Sequence, residues 1–257
     1  MYKHHQDSIE NMIAHYSKNN EIIALFLIGS IATGTERPDS DIDGVAVVSP
    51  EYFEEKKKNC KDQESCFGKC SYKGGYFDIH YMTRSYLAEL AERGSEPMRN
   101  MFTNARALYC RESAAQGESL QELAAKIPVF QKREAEEKQL KFYCTLKQFY
   151  RYFWVICKPE GFMKAHIANG IVYNLYRLIL AENEILFPSM RKLEEFVIKA
   201  PRKPDGIVQK CRKFLSELKD EDALSIIESY ENWTSYKFPD PENFQFIANN
   251  YYNPWEY

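Results

Sequence analysis

Apolar residues in the first half of the chain follow first a helical and then a strand-like spacing. Ile9, Met12, Ile13 and Tyr16 recur every three or four positions, which predicts a helix over about residues 6–17. Short apolar runs then predict four strands, since each run is rich in β-branched and aromatic residues. The four runs are EIIALFLIG (21–29), DIDGVAVVS (41–49), YFDIHYM (76–82) and ARALYC (105–110). A mixed domain of helices and strands is expected here.

The second half carries long helical patterns and no strand pattern. Pro and Gly clusters separate these stretches, as expected of turns between helices. They span residues 133–158, 163–184, 191–200 and 205–232. We therefore predict one domain over residues 1–125 and an all-α helical bundle over residues 126–257. The apolar segment FQFIANNYYNPWEY (244–257) is expected to dock on the helical half, line a cleft or form a dimer contact.

Two acidic residues interrupt the second predicted strand. Asp41 and Asp43 are two positions apart, so both side chains face the same side of a strand while Ile42 faces the other. Charges in an apolar strand are costly, and two neighbouring carboxylates do not both stay ionised unless a cation lies between them. Carboxylates that leave further positions to water and phosphate suit Mg²⁺. The pattern predicts a magnesium site.

A Gly-Ser pair precedes this site. Gly29 and Ser30 follow the first strand and begin a predicted helical turn, where backbone N–H groups attract anions. Glycine permits close backbone approach, and the serine hydroxyl can donate to a phosphate oxygen. Asp78, on the third predicted strand, supplies another carboxylate, either as a metal ligand or as a base. Phosphate beside magnesium indicates a nucleotide.

Composition and charge narrow the class of protein. The 257 residues, 44% of them hydrophobic, favour a globular protein, and the net charge of -3 disfavours nucleic acid as a partner. No signal peptide or membrane span is predicted, and seven cysteines fit reduced thiols, so a cytoplasmic location is expected. A zinc site at Cys60, Cys66, Cys70 and His80 is disfavoured, because the cysteine spacing differs from the usual paired form.

The segment GSIATGTERPDSDID, together with Asp78, resembles the signature of the DNA polymerase β-like nucleotidyltransferase superfamily. The spacing and the helical second half resemble the aminoglycoside-type adenylyltransferases. The resemblance implies an α+β fold: a small mixed β-sheet with helices, followed by an acceptor-binding helical bundle. It implies that Asp41, Asp43 and Asp78 bind two Mg²⁺ ions. Bound NTP would contact Gly29, Ser30 and Ser40. Many relatives carry an arginine soon after the Gly-Ser pair, where this chain has Ile31 and Ala32, so either Arg37 replaces it or triphosphate binding is weaker.

The reaction implied by the resemblance transfers a nucleoside monophosphate, expected to be AMP from ATP, to a hydroxyl and releases pyrophosphate. The expected acceptor is a small molecule, such as an aminoglycoside-like or lincosamide-like antibiotic, and the protein is expected to be a monomer or homodimer without a membrane partner. Two alternatives stay open. One is a protein AMP-transferase of the toxin-antitoxin type, and the other is a regulator that binds nucleotide without chemistry.

Charged residues of the second half are interpreted as solvated helix faces and ion pairs. A role for them at an acceptor site is the less favoured interpretation. The residues are Glu134, Glu136, Glu137, Arg177 and Lys192.

Overall fold

The computed structural model describes residues 1–111, 118–238 and 243–251. These residues divide between Val129 and Phe130 into two compact units. The first unit contains a mixed β-sheet with helices, and the second is helical, which confirms the predicted α+β class. No helix among the described residues is both long enough and apolar enough to cross a membrane.

Five strands form the sheet of the N-terminal unit, in the order β3-β4-β2-β1-β5. β2 and β4 are parallel, and the other neighbours are antiparallel. The strands are β1 (Ile22–Leu27), β2 (Ile42–Val48), β3 (Gln63–Phe67), β4 (Tyr76–Thr83) and β5 (Arg106–Cys110). The helices are α1 (Lys3–Tyr16), α2 (Gly29–Thr33), α3 (Pro50–Lys58), α4 (Arg84–Arg93), α5 (Glu96–Met101) and α6 (Leu120–Lys126).

Helices cover both faces of this sheet. On one face, α1 and α3 pack over a core that contains Ile42, Phe77 and Ile79. On the other face, α4 and α6 pack over a core that contains Val45 and Met82. Neighbouring strand residues enter different cores because successive side chains of a strand point to opposite faces.

Residues 56–75, where the apolar pattern predicts no strand, contain regular elements. The end of α3 lies here, and β3 pairs antiparallel with β4 at the edge of the sheet. The segment QESCF shows no apolar alternation, because Cys66 packs on a core while Phe67 is exposed at the edge of the sheet. The sheet therefore has five strands rather than the four predicted.

The C-terminal unit is built around one hydrophobic core, lined by all its long helices. Its α-helices are α7 (Lys132–Lys147), α8 (Gly161–Glu182), α9 (Leu193–Lys199), α10 (Ile207–Glu217), α11 (Asp220–Trp233) and α12 (Phe244–Asn250). α7 continues directly into a π-helix over Gln148–Ile156, and a short 3-10 helix covers Met190–Lys192. α12 packs against α7 through the buried Ile247. Residues 252–257 of the predicted docking segment lie outside the described residues.

Candidate active site

Three carboxylates converge at one edge of the parallel strand pair. Asp43 on β2 lies directly beside Asp78 on β4, and Asp41 immediately precedes β2. Each of the three offers a carboxylate oxygen within 4.8 Å of the other two, and all three side chains are half-buried. Among the described residues, this is the one group of three or more acids, histidines or cysteines with a geometry that suits a metal ion. Cys60, Cys66, Cys70 and His80 form no such group.

Gly29 packs directly against this cluster. The N–H of Ile28 donates to the backbone oxygen of Asp43 at 3.1 Å, so the chain after β1 stays close to β2. A side chain at Gly29 would place its Cβ 2.0 Å from Asp43 Oδ2, and the φ of +70° also favours glycine. The sequence suggested that this glycine admits a phosphate. The structure shows that it makes room for the carboxylate of Asp43.

The remaining sequence-predicted residues lie in the segment that joins β1 to Asp41. Ser30 is half-buried in the first turn of α2. Arg37 is exposed, and its Nε donates to Asp39 Oδ1 at 3.1 Å. Ser40 is buried, and its Oγ accepts from the backbone N–H of Arg37 at 2.9 Å. These contacts place Arg37 and Ser40 in the turn that leads to Asp41.

Tyrosines of the β3–β4 hairpin support Asp41, and the sequence did not single them out. The hydroxyl of Tyr72 donates to the carbonyl of Ser40. Tyr76 hydrogen-bonds the Asp41 carboxylate, and this carboxylate, with the charges of Asp78 and Asp43, raises the pKa of the phenol to about 12. Tyr76 is therefore protonated at neutral pH and donates. The sequence did contain a signal, since Tyr76 is two positions before Asp78 on one strand and so shares its face.

Asp78 has its own neutral neighbours. Gln63 Nε2 lies 3.3 Å from Asp78 Oδ1 and donates to it across the β3–β4 pair. His80 lies two positions further along β4, where burial lowers its pKa while the charges of Asp78 and Asp62 oppose that shift. The imidazole is therefore neutral at neutral pH. Asp78 thus faces an amide and a neutral ring on its own sheet face.

In the C-terminal unit, some of the charged residues line a cleft of about 520 Å³ between α7 and α8. Glu134 pairs with Lys138 at 2.6 Å, and Glu137 pairs with Lys141 at 3.0 Å, as expected of charged helix faces. The interpretation of Arg177 as a solvated surface residue is wrong. Its guanidinium is buried over the rings of Phe142 and Phe187, and it donates to the Tyr173 hydroxyl. Aromatic faces stabilise a cation that packs over them.

The family comparison agrees with the carboxylate geometry. Residues 10–114 match the family model described as "Polymerase beta, Nucleotidyltransferase". The matched residues contain all five strands and the three carboxylates. The resemblance inferred from the sequence is therefore confirmed for this part of the chain.

Solved structures give two further comparisons. A nucleotidyltransferase-like protein from Exiguobacterium sibiricum is 8% identical, with a TM-score of 0.45 over 89% of this chain and 74% of that chain. The spectinomycin adenyltransferase AAD(9) from Enterococcus faecialis, solved with ATP and spectinomycin, is 13% identical. It gives a TM-score of 0.33 over 95% of this chain and 96% of that chain. No curated protein matches the chain.

Proposed function

We propose that this protein transfers a nucleoside monophosphate, AMP from ATP, to a hydroxyl of a small molecule and releases pyrophosphate. The observation that carries the proposal is the convergence of Asp41, Asp43 and Asp78 within 4.8 Å beside the Gly29 turn. The carboxylates lie within the matched nucleotidyltransferase domain. Under this proposal, residues 1–125 carry the chemistry and residues 126–257 bind the acceptor.

The donor set fits divalent magnesium. Three half-buried carboxylates offer oxygen ligands only, and their mutual repulsion is relieved by a cation between them. Asp41 and Asp43 would hold two Mg²⁺ ions, with Asp78 as a third ligand or as the base. Bound magnesium supplies charge stabilisation of the α-phosphate and of the leaving pyrophosphate, and it lowers the pKa of a coordinated hydroxyl. Tyr76 and Gln63 orient the outer carboxylates.

The triphosphate side of the proposal uses the segment after β1. Ser30 donates its hydroxyl to a phosphate oxygen, and Gly29 lets the backbone pass close to Asp43. Arg37 supplies a positive charge at the rim of the site. Its side chain is exposed, and it forms an ion pair with the equally exposed Asp39. Ser40 acts through its buried hydroxyl, which fixes the turn that carries Asp41.

The proposed reaction forms one bond and breaks one. The acceptor hydroxyl oxygen bonds to the α-phosphorus, and the bond from that phosphorus to the bridging oxygen of the β-phosphate breaks. The bridging oxygen leaves with pyrophosphate, and the hydroxyl proton passes to a base. Asp78 serves either as this base or as a third metal ligand. Positioning and charge stabilisation supply the catalysis, as in other phosphoryl-type transfers.

The acceptor class follows from the resemblance to aminoglycoside-type adenylyltransferases. It is a polyhydroxylated compound similar to an aminoglycoside or lincosamide, so antibiotic inactivation is part of the proposal. The helical unit offers the cleft lined by Phe142, Tyr173, Asn174 and Arg177 as one surface with both aromatic and polar groups. The protein acts as a monomer or homodimer.

Pyrophosphate release tests the proposal. Each NTP is incubated with Mg²⁺ and a panel of aminoglycosides, lincosamides and other polyhydroxylated compounds. We expect release that depends on one compound class and is lost in Asp43→Asn. Asp7→Asn is the matched control, because Asp7 is an exposed acid of α1 paired with Lys3. Labelled protein in place of labelled small molecule would indicate a protein AMP-transferase, and nucleotide binding without release would indicate a regulator.

A further inference from the structure

One face of the β3–β4 pair carries aromatic side chains beside the carboxylates. Cys66 and Phe77 are a register pair that packs on the core under α1 and α3. The next register pair, Phe67 and Tyr76, therefore points to the opposite face, which is also the face of Asp78. The rings of Phe67 and Tyr76 are in contact, with centroids 5.0 Å apart and planes tilted by 31°. We call this pair the aromatic platform.

The platform is open to solvent. Phe67 is 69% exposed, although it lies within a regular strand and its ring contacts Tyr76. Elsewhere on this face, α4 and α6 cover the sheet, and Val45 and Met82 are buried beneath them. Single exposed aromatic residues are common on protein surfaces. Phe67 differs from these because its partner Tyr76 also hydrogen-bonds Asp41, which joins the platform to the candidate metal ligands.

The strand order gives the platform a direction relative to the reaction. Across the sheet from β1 to β3, the chain presents the Gly29–Ser30 turn, then Asp43 on β2, then Asp78 and Tyr76 on β4, and finally Phe67 on β3, paired with Tyr76. In nucleotidyl transfer the attacking and leaving oxygens lie roughly in line on opposite sides of the phosphorus. If the leaving pyrophosphate lies at the Gly29–Ser30 turn, the attacking hydroxyl lies on the β4–β3 side. The aromatic platform is on that side.

We propose that the aromatic platform binds the acceptor, and that the acceptor therefore carries its reactive hydroxyl on or next to a ring with an apolar face. This inference rests on the proposed function, whose acceptors are ring compounds, and it assigns part of the acceptor contact to residues 1–125. The C–H face of a sugar-like ring packs against an aromatic side chain through dispersion and apolar burial. Because the Tyr76 hydroxyl is held by Asp41, the platform offers ring surface rather than a further hydrogen-bonding group. Open-chain polyols lack a matching face.

The test separates contact with the acceptor from contact with the nucleotide. Phe67→Ala removes the exposed ring, Phe67→Trp keeps an aromatic face, and Phe162→Ala is the matched control. Phe162 is a phenylalanine of α8 that is 81% exposed, and its ring stacks on His166. We expect Phe67→Ala to raise the acceptor KM about tenfold and to affect the NTP KM much less. Phe67→Trp should recover most of the acceptor KM, and Phe162→Ala should leave the acceptor KM at the parent value. We also expect cyclic acceptors to react and sorbitol to be inert.

Other results would overturn the inference. An unchanged acceptor KM in Phe67→Ala, or turnover of sorbitol as efficient as that of ring compounds, removes the platform from the acceptor site. A rise in the NTP KM alone assigns the ring to the nucleobase instead. If no compound supports pyrophosphate release, the proposed function fails. Calorimetric titration of the same ring compounds, with Mg²⁺ and a non-hydrolysable ATP analogue, then tests binding to the platform alone. A heat of binding that is present in the parent protein and lost in Phe67→Ala supports the inference. The absence of a heat of binding in the parent protein refutes it.

Discussion

Carboxylates are arranged differently in the two units. In the helical unit, Glu231 Oε1 accepts from the buried Lys147 Nζ at 2.8 Å and from the Tyr143 hydroxyl at 2.8 Å. In the N-terminal unit, three carboxylates gather within 4.8 Å of one another. A carboxylate paired with a basic side chain stabilises the fold, whereas carboxylates that lie close together repel one another and lower the stability of the fold. The difference separates an acid that stabilises the fold from acids whose arrangement suits a cation.

The largest effect is expected from removing one charge of the carboxylate cluster formed by Asp41, Asp43 and Asp78. Asp41→Asn or Asp43→Asn should lower kcat at least about a hundredfold, because several kcal/mol of charge stabilisation is lost with the metal. Without Mg²⁺, the same variants should unfold at an equal or higher temperature than the parent, since a like charge is gone. Kinetics and thermal unfolding measure the two effects. Retained turnover would contradict the mechanism.

Substitutions at two glycines test whether the carboxylate cluster depends on close packing against the backbone. Gly29→Ala places a Cβ 2.0 Å from Asp43 Oδ2, so the carboxylate must move and activity should fall by at least tenfold. Gly34 has a similar φ of +71°, and a Cβ added at this position would meet no atom within 4 Å. Gly34→Ala should therefore cost only about 1 kcal/mol of stability and keep its activity. Equal losses of activity in the two variants would count against the packing argument.

The paired acid of the helical unit should show the opposite behaviour. Glu231→Gln leaves the buried Lys147 without its carboxylate and should lower the free energy of unfolding by about 1–3 kcal/mol. Glu195→Gln removes an exposed partner of Lys199 and should cost less than about 0.5 kcal/mol. Denaturant unfolding measures both. Nucleotide binding should be unchanged, and a Glu231→Gln protein as stable as the parent would contradict the comparison.

Removing the single hydrogen bond from Tyr76 to the carboxylate cluster should have a smaller effect. Tyr76→Phe keeps the ring and loses the hydroxyl that donates to Asp41, so the Mg²⁺ concentration for half-maximal activity should rise about tenfold. Saturating Mg²⁺ should restore most of kcat. Tyr86→Phe, which changes a partly exposed tyrosine of α4, is the control. A loss that Mg²⁺ does not restore would point to a role in chemistry instead.

The smallest effect concerns a paired acid within the sheet itself. Partial burial raises the pKa of Glu64, but hydrogen bonds from Tyr81 and Lys56 outweigh it and hold the pKa below the usual 4.5. The stability from this lowered pKa is present above the unfolded-state value and is lost as the pH falls through the folded-state value. Glu64→Gln should thus flatten the acid side of the stability curve below about pH 4.5 and leave turnover near neutrality unchanged. A parallel curve would contradict this expectation.

Local patterns predicted most of the sheet and several helix ends. The helix expected over 6–17 is observed as Lys3–Tyr16, and four of the five strands lie where apolar runs predicted them. These signals are local, because core positions repeat with the period of each element. β3 was missed because it is a polar edge strand, recognisable only by its pairing with β4. The π-helix after α7 carries no period of its own that distinguishes it from a continuing α-helix.

For the candidate site too, local patterns were predictable from the sequence, and contacts between distant segments were not. The sequence singled out Asp41, Asp43 and Asp78, and the structure brings their carboxylates together. It did not show that Tyr76 donates to Asp41, because that contact joins a hairpin residue to a distant turn. Arg177 was misjudged since a single sequence does not show which aromatic faces surround a cation.

The parallel register of β2 and β4 also limits where the chain can tolerate changes in length. Asp43 and Asp78 are adjacent because each residue of β2 from Ile42 onward has a fixed partner on β4. A one-residue insertion or deletion inside β4 before Asp78 would turn its side chain to the opposite face, into the core under α1. The loop between β3 and β4 can absorb such a change only where Tyr72 keeps its contact with the carbonyl of Ser40. A deep mutational scan should therefore reject insertions and deletions within β4 and tolerate those in this loop that leave Tyr72 in place.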